Sequence, residues 1–443
     1  MILFISNSGE SLPVVYRLRR EGTDAQIYIH HPKYRKNYDG LLKKVSVKDL
    51  KKTVKKADTI VFDITHPNER TKEDILLLKM FGLKLTLPSV FGPVGEKLSK
   101  DHKVIGISDA TEEIELQRDK GIELAEKMGF GIPEYHKFDT LSAGMKFLKG
   151  NKGMWVFKPE NNQDIDLTYV ELFPGEIYTK MEGEWQRRIG DDCEYILQKK
   201  IDGLELSTEV WIGPKGPVHY NRTFEDKRMM GGNLGPAIGS QSNTVWIERD
   251  LSSVAIALLI KMAAHLKSAG YIGPCDVNMI VKGKVPYFLE WSPRFGYDAI
   301  YCLFELMNGK LTDFFEKDFK ADFTNGFATS QRLSVPPFPY AVPSLLQEYA
   351  KDVTIIGRLE KMPRFWGQDI YYNTDHLACA GSDGILGVVT GRGDSLGSAW
   401  GHVYRTIDTM NICSYLQYRK DGYKSHKTRL DEFEKENRRA ISA

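Results

Sequence analysis

Residues 275–294 read CDVNMIVKGKVPYFLEWSPR. Two apolar runs flank Lys282-Gly283-Lys284, and a glycine between polar residues supplies the backbone angles of a tight turn, so the stretch predicts a β-hairpin. Its second strand ends unusually, in Glu290, Ser292 and Arg294. With the turn centred on Gly283, counting outward sets Asp276 directly opposite Glu290. Side chains so opposed have Cβ atoms about 5 Å apart, and like charges there repel. Two facing carboxylates call for a shared proton or a cation. Magnesium takes hard oxygen ligands and fills the rest of its shell with water and phosphate. Period-2 alternation puts Ser292 on the face of Glu290 as a weak third ligand, with Arg294 in reach of a phosphate beyond. The same spacing also fits a surface hairpin with unrelated acids.

Two lysines upstream bear on that choice. Lys158 closes the apolar strand MWVFKP (154–159), and Lys120 sits in the helical pattern TEEIELQRDKGIELAEKMGF (111–130). Each alone is more often a surface lysine. In series with strands that end in acids, they fit ligands for a polyphosphate.

The rest of the chain divides by texture. MILFIS, AQIYIH, DTIVFDIT and LKLTLPS alternate with helical segments up to residue 105, which predicts parallel βαβ units with helices on both sheet faces. The Ser8-Gly9 turn after the first strand is strand–helix punctuation, with a substrate role open. Beyond 130, EYILQKKI, ELSTEVWI and VHYNRTF are short and antiparallel in character, followed by a helix over 251–268. The Pro-rich SVPPFPYAVP marks a boundary near 331, ahead of a smaller β-rich domain. The expected organisation is an N-terminal α/β domain (1–105), a central domain (106–330, in lobes 120–200 and 201–330), a C-terminal domain (331–425) and a charged, exposed helical tail (426–443).

Composition narrows the function classes. The chain has 443 residues, with 61 Lys and Arg against 59 Asp and Glu, so net charge gives no general attraction to nucleic acid or membrane. The ten basic residues between 33 and 56 read as a solvated helix face rather than a nucleic-acid patch. The five cysteines show no Cys-x-x-Cys spacing, which suits reduced thiols in a cytoplasmic protein. The start lacks the basic n-region of a signal peptide, and the greasiest run, VAIALLIKMAAHL, contains Lys261 and is too short to span a bilayer.

This order of parts resembles the ATP-grasp superfamily, and within it the phosphoribosylamine–glycine ligases, over nearly the whole chain. FLEWSPRFG is similar to the family's Glu-Phe-Asn-x-Arg-Phe-Gly, and IDGLELS to its Leu-x-Gly-Glu-Glu-x-Ser. EDKRMMGGNLGPAIG resembles Asp-His-Lys-Arg followed by Gly-Pro-Asn-Thr-Gly-Gly. DGILGVVTGRG and YRKDGY resemble Gly-Arg-Val-Leu-x-Val and Tyr-Arg-x-Asp-Ile-Gly of the C-terminal domain. The resemblance implies an ATP-grasp fold, α/β and α+β, with an N-terminal parallel-sheet domain and a small β-rich C-terminal one. It implies an ADP-forming ligase joining a carboxylate to an amine through an acyl phosphate, with ATP and Mg2+ or Mn2+, acting as a monomer or homodimer on small molecules in purine biosynthesis. By that resemblance Lys120 and Lys158 contact ATP phosphates, Gln198, Lys199 and Ile201 of the hinge hold adenine, and Glu205 holds the ribose. Glu290 binds the metal, with Ser292 in the family's Asn position; Asp276, where the family does not normally place an acid, is expected from the hairpin reading to join them and compensate for the serine. Arg294 stabilises the transferring phosphoryl, and Lys227, Arg228, Gly235 and Pro236 line the acceptor side.

Three departures qualify it. The glycine-rich loop expected after Lys158 is replaced by KPENNQDIDLTYVELFPG, glycine-free from 159 to 174, where Asn and Asp alone tolerate unusual backbone angles. Asp-Pro-Glu after Arg-Phe-Gly is YDA here, and Asn-Thr-Gly-Gly is AIGS. These changes leave open a divergent relative joining a different amine and acid, or a nucleotide-binding protein that has lost catalysis.

Overall fold

The structure is a computed structural model; it describes the chain apart from residues 65–70, 85–89, 160–167, 341, 411–412, 414 and 443, and for 437–442 the backbone alone. Four parallel strands open it: β1 (Ile2–Ser6), β2 (Ala25–Ile29), β3 (Thr59–Asp63) and β4 (Lys103–Ile105), in the order β2-β1-β3-β4. Leu3 and Ile5 pack on one side with Leu50 and Val94, while Phe4 and Ile27 pack on the other with Leu12 and Val15. Burial on both faces is why these strands read as continuous apolar runs rather than alternating ones. The strand expected over LKLTLPS falls largely outside the described residues; β4 fills the fourth place in the sheet.

A four-stranded antiparallel sheet follows: β5 (Tyr135–Thr140), β6 (Trp155–Pro159), β7 (Tyr169–Val170) and β8 (Asp192–Lys199), in the order β5-β8-β6-β7. Trp155, Phe157, Trp185 and Tyr195 form its own core. Beyond residue 203 run β9 (Leu204–Gly213), β10 (Gly216–Met230), β11 (Leu234–Glu248), β12 (Gly273–Lys282) and β13 (Val285–Ser292). A small ribbon pairs β14 (Met307–Asn308) with β15 (Asp322–Phe323), and β16 (Phe327–Ser334) returns to the main sheet. β17 (Thr354–Ile355), β19 (Ile370–Asn373) and β20 (His376–Cys379) make a three-stranded sheet, while β18 (Phe365–Gly367) and β21 (Ile385–Gly393) extend the large one. The large sheet has eight strands in the order β13-β12-β9-β10-β11-β16-β21-β18 and continues through β16 across the position of the Pro-rich boundary.

Alternation on this sheet sorts the chemistry. Val210, Ile212, Cys275, Val277 and Met279 turn to one face and pack under the helix Val254–Ser268. Glu205, Ser207, Glu209, Asp276 and Asn278 occupy the alternate positions and turn to the other face, where they line a cleft.

Two helices differ from expectation. The single helix expected around 111–130 is two, Asp109–Leu116 and Arg118–Met128, separated at Gln117 in extended conformation. Gly121 lies so close to the first helix that a Cβ there meets the Ile114 carbonyl oxygen at 2.6 Å. The Trp291 indole N–H donates to the Gly121 carbonyl at 3.0 Å and ties the second helix to β13. The C-terminal helix, Gly422–Ser442, is not a wholly exposed tail. His426 is fully buried, and Leu430 and Phe433 pack against Leu204, Leu206 and Phe224. No helix among the described residues is long and apolar enough to cross a membrane.

Candidate functional site

A cleft of about 1320 Å³ opens between the N-terminal sheet, the small antiparallel sheet and the polar face of the large one. Its size exceeds the usual few hundred to roughly 1,000 Å³ of a single small-molecule pocket, so it can hold a nucleotide and a second reactant together.

The hairpin at its floor corrects the expected register. The turn is a two-residue one, Gly283-Lys284, with Lys282 paired to Val285 and Gly283 at φ +60°. A bulge at Leu289 then adds one residue, between the Met279–Phe288 and Asn278–Glu290 pairs. Asp276 therefore faces Ser292, not Glu290. Glu290 faces Asn278, whose side-chain N–H donates to its Oε1 at 3.3 Å. The acid directly opposite Asp276 is on the other neighbouring strand: Glu209 of β9. Burial, followed by the charge of Glu209, pushes the Asp276 carboxyl well above the usual range, against a hydrogen bond from Ser207 at 2.9 Å. Burial raises Glu209 to about 7 despite the Trp211 indole N–H donating at 2.8 Å.

Lys227 of β10 organises the next part of the floor. Its ammonium stands 3.2 Å from Glu205 and 3.7 Å from Glu290, on strands that lie to one side of β10 in the sheet. Burial lowers the Lys227 pKa, but Glu205, Glu290 and Glu225 outweigh it and leave the group firmly protonated. Enclosure by the cleft raises the Glu290 pKa; Lys227 and Lys158 outweigh that and hold it at about 2. The Glu290 side chain keeps 55% of its surface accessible, so the carboxylate is charged and open to the cleft. Lys158 of β6 faces the same space from the small sheet. Burial, with Arg118 beside it, brings its ammonium down to about 7.

The remaining expected residues separate into those the cleft gathers and those it does not. Gln198, Lys199 and Ile201 line it where the chain passes from β8 to β9. Arg294 lines it and is oriented by Glu115, Nε to Oε1 at 2.6 Å. Arg228 lines it and donates to the Gly235 carbonyl at 2.8 Å; Gly235 lines it with φ +76°, but Pro236 is exposed outside. Lys120 is exposed and outside the cleft lining. The break at Gln117 turns Arg118 inward instead, and its guanidinium donates to the Pro159 carbonyl at 3.4 Å. The ENNQD segment lies outside the described residues.

The structure adds residues that the sequence reading missed. Asn278 and Glu209 follow from correct pairing of β12 with β13 and β9, and Glu225 from the alternation of β10. Arg429 of the C-terminal helix also lines the cleft. At the far end, Asn7, Ser8, Gly9 and Glu10 line it from the turn after β1, where buried Asp63 accepts from the Ser6 hydroxyl at 2.7 Å and the Ser11 amide at 2.8 Å. Tyr297, Arg332 and Asp383 complete that end. Asp298, in the YDA segment, is fully buried and paired with Arg332 through two bonds, at 2.9 and 3.1 Å.

A divalent cation suits the donors at the hairpin. Glu290 is ionised, Asn278 and Ser292 supply neutral oxygens on the same face, and Asp276 is destabilised as a carboxylate by burial and then by Glu209, a penalty that a cation relieves. Hard oxygens with few carboxylates match Mg2+ or Mn2+, which leave coordination places for water and phosphate.

No family model matches the sequence, and neither does any curated protein. Solved structures do resemble it. Phosphoribosylamine–glycine ligase from Thermotoga maritima superimposes with a TM-score of 0.67 at 16% identity, over 95% of this chain and 100% of that one. The biotin carboxylase domain of 2-oxoglutarate carboxylase from Hydrogenobacter thermophilus, in complex with MgADP, ADP and bicarbonate, gives 0.59 at 11%, over 94% and 91%. N5-carboxyaminoimidazole ribonucleotide synthetase from Thermus thermophilus gives 0.55 at 11%, over 94% and 100%. These likenesses concern architecture, and with the two antiparallel sheets enclosing a charged cleft they establish that the chain has the ATP-grasp fold.

Proposed function

We propose that the protein is an ATP-dependent, ADP-forming ligase that joins a carboxylate to an amine through an acyl phosphate. The observation that carries this reading is the row Glu205–Lys227–Glu290 facing Lys158 across the cleft. Fixed cations at that place offset charge on a polyphosphate, while a charged, accessible carboxylate beside them suits a metal-bound one.

In this reading adenine lies against Gln198, Lys199 and Ile201, and Glu205 faces the ribose. Lys158 and Arg118 hold the phosphates from the small sheet. A divalent ion held by Glu290 with Asn278, Ser292 and Asp276 neutralises phosphate charge when bound. A substrate carboxylate oxygen attacks the γ-phosphorus, the bond to the β-phosphate oxygen breaks, and ADP leaves. Arg294, held by Glu115, and Lys227 stabilise the moving phosphoryl. The amine then attacks the acyl carbon, phosphate departs, and the nitrogen loses its proton. Alignment of the reactants and exclusion of water supply most of the acceleration, because acyl phosphates hydrolyse when wet.

The acceptor differs from glycine and phosphoribosylamine in this proposal. The support is Asp298, which is spent on Arg332 rather than offered to the cleft, together with the changed YDA and AIGS segments.

The test is ADP release from MgATP with a panel of carboxylates crossed with a panel of amines, glycine and phosphoribosylamine included, alongside calorimetric titration with MgATP. ADP formation that requires one carboxylate and one amine supports the proposal. Tight MgATP binding with no ADP from any pair points to a nucleotide-binding protein instead. Absence of MgATP binding overturns the reading altogether.

A further inference from the structure

The C-terminal helix carries Arg429 into the cleft, more than 130 residues after the hairpin in sequence. Its guanidinium donates to the Glu225 carbonyl oxygen at 2.7 Å, to Asp226 Oδ1 at 2.5 Å and to the Ser425 hydroxyl at 3.3 Å. An arginine has five N–H groups, so these three bonds leave about two without a partner among the described residues. The charge is felt at Glu205, whose carboxyl is held below its usual range first by Lys227, against burial, and then by Arg429.

Asp226 is the anchor of this arrangement. It is fully buried immediately before Lys227, and besides Arg429 it meets His426 at 3.2 Å, Arg419 at 3.6 Å and the hydroxyls of Ser242 and Ser425 at 2.9 and 2.8 Å. His426 in turn shares a 2.6 Å hydrogen bond with Thr244 on β11. The helix thus clamps β10 at the residue that precedes the central lysine of the floor. A buried carboxylate with this many partners is costly to dismantle, since each loss leaves charge uncompensated.

We infer that Arg429 is a nucleotide-binding residue, directed at the ribose and the adjoining phosphate beside Glu205, and that docking of the C-terminal helix is thermodynamically coupled to nucleotide binding. This rests on the proposed nucleotide site and adds to it an element distant in sequence. Coupling of this kind is reciprocal: whatever the helix contributes to nucleotide affinity, the nucleotide returns to helix docking.

The full-length chain is titrated with MgADP and MgATP by calorimetry, as wild type and as Arg429→Met, Arg429→Lys and Lys427→Met. Lys427 is on the exposed side of the same helix and serves as control. The expected result is a loss of about tenfold or more in affinity for Arg429→Met, measured well below its melting temperature, which falls because Asp226 loses one of its partners. Arg429→Lys recovers part of the loss, Lys427→Met binds as wild type, and any ADP-forming activity shows a raised KM for ATP with kcat largely kept. In parallel, saturating MgADP slows tryptic cleavage of the wild-type helix at Lys427 and Arg429. Wild-type affinity in Arg429→Met overturns the inference. Should that variant fail to fold, cleavage of the wild-type helix at an unchanged rate with and without MgADP overturns it. A wild type that binds neither nucleotide overturns the underlying site, and the inference with it.

Discussion

Around Glu290 the cleft alternates charges that remain turned to open space: Lys227 bridges two carboxylates, Lys158 faces them, and Arg294 is steadied from behind by Glu115. Around Arg332 the opposite holds. Asp298 and Arg332 satisfy each other in a buried pair, Gln368 adds a further donor at 3.4 Å, and Asp369 is occupied by the backbone amides of Ser382, Asp383 and Gly384. One end leaves its charges facing the cleft, whereas the other uses most of them to tie the segment at 298 to β16 and to brace the turn at 382–384. In the proposed function the first handles phosphate, and the second is a scaffold on which the acceptor is recognised by what little is left exposed.

The sharpest way to break that contrast is to remove the open carboxylate. Glu290→Gln keeps shape and removes the charge that offsets Lys227 and that, in the proposed function, holds a metal. Roughly 10²–10³-fold less ADP formation is expected, as for loss of one transition-state stabilising group, with a melting temperature near wild type. Because the side chain is half open to water, little stability is at stake. An unfolded Glu290→Gln protein contradicts the reading of this end as one that holds its charges for a ligand.

At the closed end the expectation is reversed. Asp298→Asn strips the charge from a fully buried partner of Arg332, and an unpaired buried guanidinium costs about 3–5 kcal/mol. Urea unfolding should show that loss as a lowered midpoint. Unchanged stability with abolished activity would instead make Asp298 an acceptor-binding residue and reopen the ordinary ligase assignment.

A third comparison uses pH. The Lys158 pKa is lowered from its ordinary value to about 7, so between about 7 and 10.5 the unfolded chain binds a proton that the native chain does not. This group therefore makes the nucleotide-free protein gain stability as pH rises through that window, and below about 7 it contributes a constant penalty. Bound phosphates favour the ammonium, so MgATP binding takes up a proton above pH 7. Affinity is expected to fall with pH there, by at most about tenfold per unit, and calorimetric enthalpies should vary with buffer ionisation. Lys158→Met should abolish both effects; a slope that survives in the variant assigns the proton elsewhere.

How far the sequence revealed these features depends on the range of the signal. Period-2 alternation put Ser292 on the face of Glu290, and both line the cleft, because side-chain direction in a strand is local. The register was not legible. The bulge at Leu289 has no compositional mark, and its added residue, together with a turn on Gly283-Lys284 rather than centred on Gly283, moves Glu290 from Asp276 to Asn278. Asp276 does face a carboxylate, but it is Glu209, which the sequence reading missed because the pairing is set by contact with β9 across more than sixty intervening residues. The clamp on Asp226 was invisible for the same reason in larger measure: KSHKTRLDEF reads as an exposed charged helix until β10 supplies the partners of His426 and Arg429.

The smallest expected effect tests the subtlest of these readings. A helix running unbroken across 111–130 gives no ground for preferring Arg118 to Lys120 as the inward cation. The break at Gln117, held by the approach of Gly121 to Ile114 and by the Trp291 bond, resets the rotation so that Arg118 faces Lys158 while Lys120 points to solvent. Lys120→Ala should therefore change MgATP affinity by no more than about twofold, an exposed charge being largely screened at physiological salt. Arg118→Ala should weaken affinity about tenfold, as expected for loss of a charge-assisted bond to phosphate. Equal effects from the two would mean that the second helix turns on binding. A larger effect from Lys120 would return the cation assignment to the position the sequence first suggested.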